Sequence, residues 1–171
     1  MYALNEKVVY PGHGVAQVNR IVKKTIAGAA AYFYELVFLH QDMTILVPVE
    51  TAGSIGLRPL SSVQCIDSVF AFLAEPQPPI VPDVLIINWN KRNKEYKERL
   101  QTGDITKISA IYRYLMHLGQ QKDLSFGEKE LLKQTELLLA KEIAEVRGIQ
   151  EDAALITMRK AVLPPGAYYT K

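Results

Sequence analysis

The sequence predicts an α+β protein of two domains: a small, strongly bent antiparallel β domain over residues 1–62 and an all-α bundle of four to five helices over residues 63–163, followed by a tail at 164–171. Three observations predict it. Short β-prone runs separated by glycine and proline turns fill the first domain. From about residue 63 the apolar residues recur at helical spacing. Between the first helix and the rest, Pro76, Pro78, Pro79 and Pro82 forbid a regular helix and set a stiff loop over residues 76–87 inside the helical domain.

The elements follow in order. Lys7-Val8-Val9-Tyr10 reads as a short strand, and Pro11-Gly12-His13-Gly14 as a hairpin turn. That turn has no following helix and no Lys-Ser/Thr pair, so it is not a phosphate cradle. Residues 15–24 mix apolar and polar side chains, Ala27-Gly28-Ala29 supplies a turn, and the aromatic run at 31–39 is strongly β-prone. After a turn at Gln41-Asp42, residues 43–49 return as a strand that Pro48 marks as an edge or ends. A last short strand at 57–60 completes a small bent sheet or half-open barrel.

Ser61-Ser62 can cap a helix running to Ala74. A helix starts at Trp89 and ends at Thr102-Gly103, and Asp104 caps the next, with Ile105, Ile108, Ile111, Tyr112, Leu115 and Leu118 on one stripe. Ser125-Phe126-Gly127-Glu128 matches the capping box and opens a helix of about twenty residues that turns Leu131, Leu132, Leu138, Leu139, Ile143 and Val146 inward. A final helix spans residues 151–162. Arg113, in a mostly apolar helix, is expected to pair with an acid such as Glu142.

Composition bounds the function. With 49% hydrophobic and 22% charged residues this is an ordinary globular chain, and its single cysteine, Cys65, excludes an intrachain disulfide. The apolar runs are too short to cross a bilayer and the N-terminus has no signal-peptide pattern, so the cytoplasm is the expected compartment and no membrane role is expected. His13, His40, His117 and Cys65 have no metal-ligand spacing, no nucleophile and base constellation is legible, and no Walker motif exists. The chain is therefore expected not to be an enzyme and to need no cofactor or metal.

Charge is distributed unevenly. Residues 88–122 carry eight basic and three acidic side chains, whereas 123–151 carry four basic and seven acidic. At the head of the cationic segment stands the only tryptophan, Trp89, followed by Lys91, Arg92, Lys94, Lys97 and Arg99. The charges alone fit a solvated helix face; a large flat apolar group beside them suits nucleic acid, with cations on phosphates and the ring between bases.

The ordered set Val8-Val9-Tyr10-Pro11-Gly12-His13-Gly14-Val15, then residues 43–49 with Gly56-Leu57-Arg58, then Trp89 with Arg92 and Tyr96, resembles the CarD/CdnL family of bacterial transcription regulators. The match continues through Gly103-Asp104, Arg113 with Leu115, Leu124-Ser125 with Glu128, and Leu131-Leu132, Leu138-Leu139 and Glu142, so it covers roughly residues 1–147. The resemblance implies a Tudor-like N-terminal domain, similar to that of transcription-repair coupling factor, that grips the RNA polymerase β subunit. It implies a helical domain that reaches promoter DNA at the upstream edge of the bubble, where Trp89 wedges into the minor groove with Lys91, Arg92, Lys94 and Lys97 on the backbone. The polymerase contact maps to Lys24, Ile45, Leu46, Val47 and Pro48. Some relatives carry arginine where this chain has Lys24 and Leu46, so the contact at Leu46 is apolar here rather than ionic. The free protein is expected to be a monomer. The alternative is a free-standing, non-specific DNA binder of the nucleoid type, which would hold duplex tightly without polymerase.

Overall fold

The computed structural model describes residues 1–26, 28–76 and 89–163, and at Trp89 and Asn90 the backbone alone. The chain divides into two compact units, Met1–Leu60 and Ser61–Lys171. The Ser61 amide and hydroxyl both donate to one carboxylate oxygen of Glu142, at 3.0 and 2.7 Å, which ties Ser61 to the second unit. The proline-rich loop expected at 76–87, apart from Pro76, and the tail at 164–171 lie outside the described residues.

The first unit is a five-stranded antiparallel sheet of β1 (Lys7–Tyr10), β2 (Gly14–Ile26), β3 (Ala29–Phe38), β4 (Thr44–Pro48) and β5 (Arg58–Pro59), in the order β4-β3-β2-β1-β5. It is a bent sheet and not a closed barrel: β4 and β5 are separate edges. Val8, Ala16, Val18, Tyr34, Leu36, Phe38 and Val47 line one face, and segments outside the strands cover it. Tyr2 packs edge-on against Tyr34 at 5.6 Å and donates its hydroxyl to the Leu57 carbonyl at 2.7 Å, while Ala52 and Leu57 join the core. The register of β2 and β3 shifts between Val18 and Arg20, leaving Asn19 as a bulge. Beyond it the hairpin runs on to Ile26 and Ala29 with both faces largely exposed.

Five helices form the described part of the second unit: α1 (Val63–Ala74), α2 (Trp89–Gln101), α3 (Ile105–Gln121), α4 (Phe126–Arg147) and α5 (Glu151–Val162). Local chemistry sets their ends. The Ser62 hydroxyl accepts from the Cys65 amide, Asp104 from the Thr106 amide, and Ser125 and Glu128 complete a reciprocal capping box. Gly148, at φ 63°, closes α4 in a left-handed conformation that a side chain would strain. The stripe from Ile105 to Leu118 is buried as predicted, and with Ser109, Arg113 and Met116 also buried, α3 is the central helix of the bundle.

Arg113 does not pair with Glu142. Its Nη2 donates to the Glu75 and Pro76 carbonyls at 2.9 Å each, Nη1 lies 3.6 Å from the Glu75 carboxylate, and the guanidinium sits 4.5 Å from the Phe72 ring centroid. Burial demands acceptors for a guanidinium. The end of α1 supplies them, whereas Glu142 is occupied by Ser61.

Candidate protein-binding and nucleic-acid faces

In the first unit the candidate contact residues divide by strand parity. Side chains alternate along β4, so Thr44, Leu46 and Pro48 are exposed, while Val47 is buried at 2% exposure and Ile45 packs against the core. Opposite Leu46 lies Glu35 and opposite Pro48 lies Phe33; on β2 the same outward rows continue through Arg20, Val22 and Lys24. Of the five residues predicted for this contact, Lys24, Leu46 and Pro48 therefore share the open face, and Ile45 and Val47 lie on the other.

Glu35 is held by Arg20, with Nε and Nη2 donating at 3.0 and 2.8 Å, and by Asn19 at 2.7 Å. The Arg20 and Asn19 bonds keep its carboxyl below the ordinary glutamate range.

The backbone of β4 adds a second feature. The Phe38 amide donates to the Met43 carbonyl at 3.0 Å, which fixes the alternation: Ile45 and Val47 turn their amides toward β3, and Thr44 and Leu46 turn theirs outward. Among the described residues no strand pairs with that outer edge. At the opposite edge β5 is two residues long and ends in proline, which blunts it. The sheet thus offers one open edge beside an exposed face on which Leu46, Pro48 and Val22 lie among Arg20, Lys24 and Glu35.

In the second unit α2 carries the cationic row. Tyr96 is half-buried and Leu100 buried on its inward side, and Lys91, Lys94 and Lys97 are exposed on the outward one. Burial, followed by the neighbouring Tyr114, pushes the Tyr96 phenol up to about 12. Arg92 is not in the exposed row. Its side chain is only 11% exposed; Nη1 donates to the Tyr114 hydroxyl at 3.2 Å and Nη2 lies 3.8 Å from Glu128. Residue 89 opens the helix, but the expected exposure of its indole lies outside the described residues.

The sequence reading missed one feature here. A groove of about 460 Å³ runs between α2 and the first turns of α4, lined by Asn93 and Lys97 from one and by Gly127, Glu130, Lys133 and Gln134 from the other. Lys133 was invisible as a site residue because it lies in the acidic stretch after 122, and only packing of α4 beside α2 brings it near Lys97. Among the described residues no three His, Cys, Asp or Glu side chains gather in a metal-binding arrangement, and no helix is long and apolar enough to cross a membrane.

Comparison with known proteins places both units. The family described as the CarD-like/TRCF RID domain matches residues 2–61, and the CarD C-terminal domain matches residues 68–159. A candidate transcription factor of Bacillus subtilis (strain 168), YdeB, is 22% identical over 151 residues, which is 88% of this chain and 95% of that protein. With its β unit and its helical unit each matched in order, the chain belongs to the CarD family of transcription regulators.

Proposed function

We propose that the chain binds the RNA polymerase β subunit through β4 and stabilises the open promoter complex through α2. The match of residues 2–61 to a family of polymerase-interacting domains supports the partner. The open edge of β4, with Leu46, Pro48 and Lys24 on one face, suits addition of a partner strand: backbone bonds give affinity and the side chains of that face give specificity.

On the DNA side, the observation that carries the reading is the exposed row Lys91, Lys94 and Lys97 on the helix that Trp89 opens. Lysines on phosphates give sequence-independent affinity. An indole inserted at the splayed step of the upstream fork offsets about 1–3 kcal/mol of the unstacking cost. Because paired DNA offers no such gap, that energy is differential and shifts the closed-open equilibrium by its full value, about fivefold to a hundredfold in open population. Tethering through the β unit raises the local concentration of the wedge, so a weak DNA contact suffices.

The test is open-complex lifetime on a promoter with polymerase present. Trp89→Ala shortens it within that range while association with polymerase is retained; an unchanged lifetime removes the wedge.

A further inference from the structure

The cationic segment contains one arginine that the proposed DNA contact does not need. Among the described side chains of α2 the single buried apolar one, Leu100, lies near the C-terminal end, and half-buried Tyr96 sits one turn before it. Over the described side chains, apolar anchorage thins from Leu100 back toward Arg92. The next inward position, four residues before Tyr96, is Arg92.

Its surroundings are polar and closed. The Tyr114 hydroxyl takes Nη1 at 3.2 Å, and Glu128, 3.8 Å from Nη2, is itself only 2% exposed. Glu128 is fixed in turn by the Ser125 amide at 2.8 Å and by Lys122 Nζ at 3.1 and 3.2 Å. We propose that Arg92 is a positioning residue that latches the first turn of α2 to the capped start of α4 through Glu128 and to α3 through Tyr114, and that it makes no contact with DNA. A desolvated guanidinium needs its acceptors, so withdrawing it to reach a phosphate would break the latch and leave the Tyr114 hydroxyl and Glu128 short of a partner. The latch is a geometric relation within the helical unit; its consequence for the fork rests on the proposed function.

The test uses the full chain and begins without DNA. Arg92→Ala speeds hydrogen exchange of the α2 amides at residues 93–97 at least tenfold and lowers the fluorescence anisotropy of the sole tryptophan, with α3 and α5 amides unchanged. Tyr114→Phe, which keeps the ring and removes the acceptor, moves the same amides in the same direction, and Lys94→Ala does not.

With fork DNA, each phosphate contact contributes about 0.9 to the slope of log affinity against log salt. Lys94→Ala lowers the slope by about one. Arg92→Ala weakens binding at an unchanged slope. Normal exchange in Arg92→Ala together with a slope lowered by one would overturn the proposal and make Arg92 a phosphate contact. Unchanged slopes in both Lys91→Ala and Lys94→Ala would instead sink the DNA face and leave the latch standing on the exchange result.

Discussion

Leu46 and Val47 are neighbours in sequence and opposites in environment, which makes glutamate at each a discriminating pair. Val47 is 2% exposed in the core of a unit of 60 residues, for which typical stability of 0.05–0.15 kcal/mol per residue gives about 3–9 kcal/mol. A carboxylate buried there without a partner costs several kcal/mol, so Val47→Glu unfolds the β unit or drives the group to stay protonated. Leu46 is 38% exposed. Its replacement forfeits only partial burial, about 1 kcal/mol. Glu35 lies directly opposite, and a like charge across the strands adds up to about 1 kcal/mol. Arg20, 2.8 Å from Glu35, reduces that repulsion. Leu46→Glu is therefore folded, with a melting temperature lowered by about 4–16 °C for a unit this size. Its effect belongs to binding: a carboxylate forced against an apolar partner surface costs at least about 2 kcal/mol, or thirtyfold in affinity. Hydrogen exchange of β3 amides reads the fold, and co-purification with the polymerase β subunit reads the contact. If Leu46→Glu retained polymerase at full affinity, or lost β3 protection as Val47→Glu does, the assignment of the two faces would be wrong.

Two further predictions come from titration. Burial alone would push the Glu128 carboxyl up, but the Ser125 amide and the Lys122 ammonium outweigh it and hold the group below the ordinary glutamate value of 4.5. A depressed folded value contributes stability above the unfolded value and loses it as pH falls through the folded one. The helical unit therefore destabilises as pH drops below about 4.5, and thermal melts of Glu128→Gln show a shallower acid limb; identical limbs would refute it. Tyr96 shifts the other way, and its contribution is full below 10 and fades as pH rises toward about 12. In an ultraviolet titration the Tyr96 phenol is among the late-ionising ones, and Tyr96→Phe removes one phenol from that late step.

How much was readable before the structure depended on whether the physics was local. Caps and punctuation are local: Ser62, Asp104, the Ser125 to Glu128 box and Pro48 set the ends of α1, α3, α4 and β4 where the sequence placed them. β2 was harder to read. The bulge at Asn19 resets the alternation, and from Asn19 onward the strand has little buried face, so no period-two pattern survives in residues 19–26. The short helix Val49–Thr51 carried no signal of its own. Arg113 was legible as a buried cation in need of acceptors but not as to which, since Glu75 and Pro76 are distant in sequence and are brought near only by packing of α1 on α3. Arg92 is a different case. Its spacing of four from Tyr96 and eight from Leu100 put it on the inward stripe, and the reading by charge alone overrode that phase.

Turning Arg92 inward also weakens the nucleoid alternative. On α2 the exposed charges are Lys91, Lys94, Lys97 and Arg99 against Glu95 and Glu98, a net of +2. With three lysines on one face, counterion release gives a salt slope near −3. That is shallow for a protein that must hold duplex unaided at physiological salt. It fits a contact that works only when polymerase presents the fork at high local concentration. Titrating labelled duplex with the full chain, in the absence of polymerase, over a range of salt decides between them. Weak binding with a slope of about −3 is expected, and tight binding with a slope of −6 or steeper would restore the free-standing DNA binder.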